Sequence, residues 1–258
     1  MTHEFDGKKY AQASTHQKEW GTRIIAELGL GGAEHVLDLG CGDGSLTRQI
    51  AEILPAGQVL GIDGSQGMID AALPKARNNL RFRRLDINSL DFENQFDVVF
   101  SNATLHWVTD HQRLLLNVHR ALRPEGRLRF QFAGAGNCAH FFAVVREAMA
   151  QAEFQPFFAG FEWPWYMPSV DEYNRLTQSS GFREVRIWGE NADRFFPDAE
   201  AMVRWIDQPS LVPFLARVTE PAKDSFRNFV VSRMIERTQQ VDGRCFETFR
   251  RINVSAVK

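Results

Sequence analysis

VLDLGCGDG, residues 36–44, runs a short apolar stretch into three closely spaced glycines with an acid on either side of the first turn. Val36, Leu37 and Leu39 predict a parallel strand covered on both faces, and Gly40, Gly42 and Gly44 predict a sharp turn where backbone meets a ligand. From Ser45 to Leu54 the apolar residues recur at helical spacing, so the order is strand, glycine turn, helix. That order predicts an α/β chain of the doubly wound, Rossmann-like kind.

Which ligand sits there follows from the residues around the glycines. A dinucleotide fingerprint places its third glycine where Ser45 stands, because strand and helix pack closely at that point. Here Asp38 lies inside the motif instead, and a carboxylate beside a phosphate seat repels a pyrophosphate while suiting an ammonium group. A second predicted strand, Gln58 to Ile62, ends in Asp63, at the distance downstream where an acid accepts hydrogen bonds from ribose hydroxyls. The ligand these residues describe is a nucleoside with a cationic, amino-acid-like tail and no phosphate.

Further along, Asp86 falls near the end of a third strand that begins at Leu80, placed to accept from an exocyclic amine. Met68 opens the apolar part of the helix after Asp63 and offers a surface for an adenine face. Phe96 to Asn102 reads as a fourth strand. Leu122-Arg123-Pro124-Glu125-Gly126 reads as a turn into a fifth strand, Arg127 to Phe132.

VLDLGCGDG, GIDGS, RLDI, FDVVFSNATLHW and LRPEG stand in the order and approximate spacing of the class I S-adenosylmethionine-dependent methyltransferases, which the chain resembles over roughly residues 20–135. A narrower resemblance, to the trans-aconitate and juvenile-hormone-acid carboxyl methyltransferases, is carried by Tyr10, Gln17, the run TLHWVTDH (104–111), the RWI near 204–206 and the closing FRRINVSAVK. The resemblance implies a mostly parallel seven-stranded sheet with an antiparallel last strand, plus helical cap insertions. It implies S-adenosyl-L-methionine as cofactor, held by Tyr10, Gln17, Asp38, Gly40, Cys41, Gly42, Asp63, Gly64, Met68, Asp86, Ile87, Asn102 and Leu105.

Composition agrees with a single enzyme domain spanning residues 1–258: 44% hydrophobic and 24% charged residues are ordinary for a globular chain. A net charge of -2 argues against a nucleic-acid partner, which requires a basic face. Arg81, Arg83 and Arg84 read as solvated surface. Cys41, Cys138 and Cys245 are scattered without metal-ligand spacing, so neither a metal site nor a disulfide framework is expected, and a reducing cytoplasm is the expected compartment. The polar start MTHEFDGKKY and the lack of any long apolar window predict no membrane association. The expected partner is a small-molecule substrate, with homodimerisation left open.

Within the domain, residues 1–19 are expected to cover the cofactor and residues 20–135 to form the cofactor-binding core, with a first helix over 20–30. Residues 136–183 and 195–243 are expected to be helical insertions that cap the substrate. The first carries Phe154, Phe157, Phe158, Phe161, Trp163, Trp165 and Tyr166, read either as packing of an inserted layer or as a lid over an apolar pocket. Helices are expected near 141–152, 170–179, 198–206 and 222–240. Strands at Glu184 to Trp188 and Cys245 to Val257 complete the sheet.

The reacting centre is expected at the carboxyl ends of the first and fourth strands, where a doubly wound sheet opens a crevice. His106 and Trp107 follow the fourth strand and are the catalytic candidates. Thr109 with Gln112 reads as a capping box, which makes Thr109, Asp110 and His111 structural. A carboxylate acceptor is already ionised at neutral pH and needs only alignment, by His106 and Trp107. A phenol or amine would use His106 as proton acceptor. A carbon or carrier-protein acyl acceptor, and a non-catalytic nucleotide- or NAD-binding module, are the remaining alternatives. Arg194 and Arg204 are candidate cations for a carboxylate.

Overall fold

The computed structural model describes residues 15–258, the side chains of residues 15–19 and Pro209 excepted. In chain order the elements are α1 (Thr15–Glu27), β1 (His35–Leu39), α2 (Ser45–Ile53), β2 (Gln58–Asp63), α3 (Gln66–Ala72), β3 (Leu80–Arg84), β4 (Phe96–Asn102), α4 (His111–Ala121), β5 (Leu122–Ala133), α5 (Ala139–Ala150), α6 (Val170–Ser179), β6 (Arg183–Asn191), β7 (Arg194–Phe196), α7 (Ala199–Trp205), α8 (Val212–Leu215), α9 (Glu220–Thr238), β8 (Cys245–Glu247) and β9 (Arg250–Val257). They fall into two compact units. One holds the chain up to Ala135 together with Trp165–Glu190 and Arg251–Lys258, and the other holds Gly136–Pro164 with Asn191–Arg250. Residues 165–183, read from sequence as part of the first insertion, thus group with the sheet.

The first unit is built on a seven-stranded sheet in the order β3-β2-β1-β4-β5-β9-β6. β1 pairs in parallel with β2 and β4, β2 with β3, and β4 with β5, while β9 runs antiparallel to β5. The expected doubly wound sheet with an antiparallel final strand is therefore present. The chain leaves β1 toward β2 and β3, then returns to the other side for β4 and β5. This puts the topological switch, and the crevice that goes with it, between β1 and β4.

Burial explains why the strands read as unbroken apolar runs. Leu37 and Leu39 pack with Val99, Leu115, Val118 and Phe130 on one face. Val36 packs with Val98, Phe100, Ile50 and Ile24 on the other. With both faces covered by helices, every position of β1 from Val36 onward is buried, Asp38 included.

Four local readings are corrected. α1 starts at Thr15, five positions before the expected 20; the polar residues 15–19 carry no apolar period for a sequence reading to register. LRPEG is not a turn before the strand but a bulge within it: Leu122 pairs with Phe96, the register then shifts, and Arg127 pairs with Val98. Glu125 sits there at φ 63°, and a Cβ on Gly126 would lie 2.8 Å from the Arg123 carbonyl oxygen. The expected single strand from Cys245 to Val257 is two strands. β8 pairs with β7, because the buried Glu247 turns aside to accept from the N–H groups of His140 (3.3 Å) and Phe141 (2.9 Å) at the start of α5. Finally, α4 is capped not by Thr109 but by Asp110, whose carboxylate accepts from the Arg113 N–H at 2.9 Å.

The second unit has its own aromatic core. Phe154 meets Phe226 edge-on at 5.1 Å, Phe158 lies 5.4 Å from Phe226, and Phe161 lies 5.3 Å from Phe214. The aromatic crowd of the sequence is thus split, since Trp165 and Tyr166 pack within the first unit, against Trp107 (5.1 Å) and His111 (4.6 Å). No described helix is long and apolar enough to cross a membrane, and the described residues hold no metal-binding group of His, Cys, Asp and Glu.

Candidate functional site

The ends of β1, β2 and β4 are held together by bonds that need glycine. Gly40 and Cys41 donate their N–H groups to the Ile62 carbonyl at 2.8 and 2.9 Å. The Gly42 N–H donates to one oxygen of Asp63 at 3.0 Å, and the Ser65 N–H donates to the other at 2.9 Å. Gly40 lies at φ 72°, and a Cβ there would stand 2.1 Å from the Thr104 side chain, whose hydroxyl donates to the Gly40 carbonyl at 3.1 Å. Gly42, at φ 54°, is different: no other described atom lies within 4 Å of the place where a Cβ would be. Among the described residues, the loop is pinned on its inner side and open on its outer side.

Acids surround this loop. Asp38 is 2% exposed and accepts from the Thr47 hydroxyl at 2.7 Å. Burial pushes its carboxyl up to about 7; the Thr47 bond opposes the rise and the charge of Asp63 adds to it. The Cys41 thiol is also pushed well up, first by burial and then by the Asp38 and Asp63 charges, so it is inert at neutral pH. Asp86 caps a short turn, accepting from the N–H and side-chain amide of Asn88 at 2.8 and 2.9 Å. Its neighbour Leu85 donates to the Asp63 carbonyl at 3.0 Å, which ties β3 to the same edge. The Gly64 carbonyl accepts from Arg84 at 3.1 Å. Met68 and Ile87 are buried nearby in sequence from these acids. Tyr10 lies outside the described residues, and Gln17 lies in the first turn of α1 with its side chain outside them.

Beyond β4, Asn102 is nearly buried and Ala103 turns at φ 56°, its N–H donating to the Gln131 carbonyl at 2.7 Å. The single helical turn Leu105–Trp107 follows. Leu105 is fully buried in the core, which anchors the turn and leaves His106 and Trp107 partly exposed. His106 is held through its carbonyl, which accepts from the Tyr166 N–H at 2.9 Å, and its ring lies 5.7 Å from that of Trp107. Its Nδ1 is shut off from solvent and has no hydrogen-bond partner among the described residues. Burial, then the charges of Arg251 and His111, hold His106 well below the ordinary imidazole range. His111 is structural, as expected: its ring nitrogens meet the Tyr173 hydroxyl (3.0 Å) and the Leu105 carbonyl (2.9 Å), and burial lowers it to about 4.

One residue of this region escaped the sequence reading. Arg251 is 5% exposed, pairs with Ala133 at the carboxyl end of β5, and places its guanidinium 4.8 Å over the Trp20 ring. The signal was present in RRINVSAV: Ile252, Val254 and Ala256 take one face of β9, and the polar Arg251 and Asn253 are nonetheless buried on the other. The arginines that sequence reading favoured lie in the second unit, Arg194 on β7 and Arg204 on α7. Arg204 is solvent-exposed and engaged by Glu200 at 2.7 Å.

Residues 37–130 match a family model described as a methyltransferase domain. A trans-aconitate 2-methyltransferase of Rhizobium etli is 30% identical over 98% of this chain and 99% of its own, and one of Deinococcus radiodurans is 34% identical over 71% of each. The chain belongs to the class I S-adenosylmethionine-dependent methyltransferases. Among solved structures, the YcgJ protein of Bacillus subtilis shares the fold of this methyltransferase with a TM-score of 0.64 at 16% identity, covering 93% of this chain and 98% of its own. A phosphoethanolamine N-methyltransferase of Haemonchus contortus, determined with S-adenosylhomocysteine, gives 0.62 at 21% identity, covering 98% of this chain and 57% of its own.

The methyl donor of this methyltransferase is S-adenosylmethionine, and the residues at β1 and β2 fit it. A buried carboxylate at Asp38 suits the donor's ammonium, Asp63 stands at the end of β2 where ribose hydroxyls are accepted, and Gly42 leaves the outer side of the turn clear of described side chains.

Proposed function

We propose that this methyltransferase acts on the carboxylate oxygen of a small molecule. His106 carries the reading. Its imidazole is held neutral by burial, and its Nδ1 has no partner among the described residues. An imidazole pushed well below its usual range is a poor base toward a phenol or an ammonium, whose pKa values lie near 10. The same neutral ring still donates an N–H to an oxygen anion. A carboxylate, with a pKa of about 4, arrives already ionised and asks for alignment only.

In this reading Asp38, Gly40, Cys41, Gly42, Asp63, Gly64, Met68, Asp86, Ile87, Asn102 and Leu105 form the donor's seat, Asp38 taking the ammonium and Asp63 the ribose. Tyr10 and Gln17 would close over it. The bound donor supplies a methyl group on a sulfonium with a neutral leaving group, so the protein's part is chiefly positional. Trp107, packed on Trp165, gives the acceptor a flat apolar wall, and His106 points one carboxylate oxygen along the line of displacement. The full-length relatives named trans-aconitate 2-methyltransferase support a carboxyl acceptor.

Methyl-labelled donor, offered with trans-aconitate, phenylacetate, dodecanoate, p-cresol and phenethylamine, tests the reading. Label should pass to one of the acids and be released as methanol by mild alkali. Label found instead on the phenol or the amine, and resistant to alkali, would overturn it.

A further inference from the structure

We propose that His111, with Tyr166 beside it, is the positioning residue of the turn that carries His106, an inference that rests on the role given to His106 above. The turn Leu105–Trp107 is a single helical turn of three residues, too short to fix its own orientation through internal bonds. Groups from outside the turn take its carbonyls. The Leu105 carbonyl accepts from the His111 ring at 2.9 Å, and the His106 carbonyl accepts from the Tyr166 N–H at 2.9 Å. Burial lowers His111 to about 4, so at pH 7 the ring is neutral and carries one hydrogen. A carbonyl can only accept, which puts that hydrogen on Nε2 and leaves Nδ1 to accept from the Tyr173 hydroxyl at 3.0 Å.

Both supports lead back to neighbouring residues of α6. Tyr173 is fully buried and holds the His111 ring, while Glu172 accepts from the Tyr166 hydroxyl at 2.7 Å. The rings close the set: His111 lies 4.6 Å from Tyr166, 5.3 Å from Tyr173 and 5.4 Å from Phe132. Packing alone would be served by an apolar residue at this 2% exposed position. It does not explain a polar ring with both nitrogens committed, one of them to the turn of His106. The His106 Nδ1 has no partner among the described residues, so the imidazole is aimed through its backbone and its contact with the Trp107 ring at 5.7 Å. A misplacement of about 1 Å in an aligning group costs on the order of 100-fold in rate. Moving His111 disturbs the Leu105 carbonyl directly and the His106 carbonyl through Tyr166, and His111 thus acts on the reaction through His106.

The test is a double-mutant cycle on the whole protein. Turnover is measured with methyl-labelled S-adenosylmethionine and whichever of trans-aconitate, phenylacetate, dodecanoate, p-cresol and phenethylamine takes label fastest. Affinity for S-adenosylhomocysteine is measured by calorimetry. A glutamine amide nitrogen reaches about the place of Nε2 and an asparagine one about the place of Nδ1. His111→Gln should therefore keep turnover within about threefold and His111→Asn should lose about tenfold, both with homocysteine-product affinity within about twofold of wild type. In a His106→Ala background, His111→Asn should cost less than about a further twofold. Equal losses from glutamine and asparagine, or losses that multiply in the cycle, overturn the inference. So does a nitrogen NMR spectrum of the wild type that places the His111 hydrogen on Nδ1. Should the His111 variants fail to fold, Tyr166→Phe decides: it loses only the bond to Glu172 and should lower turnover about threefold, and wild-type turnover overturns the inference. Wild-type turnover in His106→Ala overturns this inference together with the role of His106, whereas alkali-resistant label overturns the carboxyl acceptor alone.

Discussion

The two halves of the crevice are built differently. Around β1 and β2, one contiguous stretch supplies the turn, and its N–H groups are fixed to the next strand by Ile62 and Asp63. Beyond β4, the groups come from two distant segments, His106 with Trp107 and Trp165 with Tyr166, joined through ring contacts and one backbone bond. The first half is a backbone cradle whose shape is set before any ligand arrives. In the proposed reading, the second is a side-chain assembly whose acceptor can change with single residues. A donor common to a family suits the first construction, and an acceptor particular to one enzyme suits the second.

This contrast breaks most visibly at Asp63. Asp63→Ala removes the acceptor of two backbone N–H groups, each bond to a charged group contributing about 1.5–3 kcal/mol. Donor affinity measured by calorimetry should fall about 100-fold, and loss of acceptor affinity alone would mean that the cradle does not belong to the donor.

His106→Ala is the mirror experiment. The turnover number should fall about 30-fold, as for one lost bond to an ionised oxygen, while donor affinity stays within twofold. Equal losses in both would merge the two halves. Because His106 is held below the usual imidazole range, the wild-type rate should stay flat from pH 8 down to about 6.5, the ordinary imidazole value, and beyond. A rate limb centred near pH 6.5 would indicate an ordinary histidine acting as base.

Much of this difference could be read in the chain itself. Asp38, the glycines and Asp63 lie within 26 consecutive positions, and short-range order of that kind leaves a motif. Arg251 is brought to the carboxyl end of β5, opposite Ala133, by insertion of β9 between β5 and β6, a long-range event with no local pattern beyond a polar residue in a buried strand. Arg194 and Arg204 were favoured because sequence reading placed them in the insertion, yet Arg204 proved to be an exposed partner of Glu200. The cap of α4 shows the same limit on a smaller scale. Thr109 and Asp110 are both good caps, and only the backbone decides between them.

That choice gives a further prediction: Asp110→Ala should lower unfolding stability by about 1 kcal/mol, and Thr109→Ala should leave it unchanged within about 0.5 kcal/mol. The reverse ranking in denaturant melts would restore the capping box.

The smallest effect expected is a proton. With its folded-state carboxyl raised to about 7 from 3.8, protonated Asp38 favours the folded protein fully below pH 3.8, and that contribution is lost as pH rises through 7. A cationic ligand favours the ionised form, so donor binding at pH 7 should release about half a proton, more toward pH 6 and none by pH 9. Calorimetry in buffers of different ionisation heat reads this directly, and Asp38→Asn should abolish it. Proton uptake, or no exchange at pH 7, would remove Asp38 from the ammonium's seat.

A crystal structure of the enzyme with S-adenosylhomocysteine and the acid that turns over fastest tests the division itself. The homocysteine product should lie on the Gly40–Gly44 turn with its ammonium at Asp38, and the acid should lie beyond β4 with its carboxylate within hydrogen-bonding distance of His106. An acid bound away from His106, or a homocysteine ammonium away from Asp38, would contradict the division.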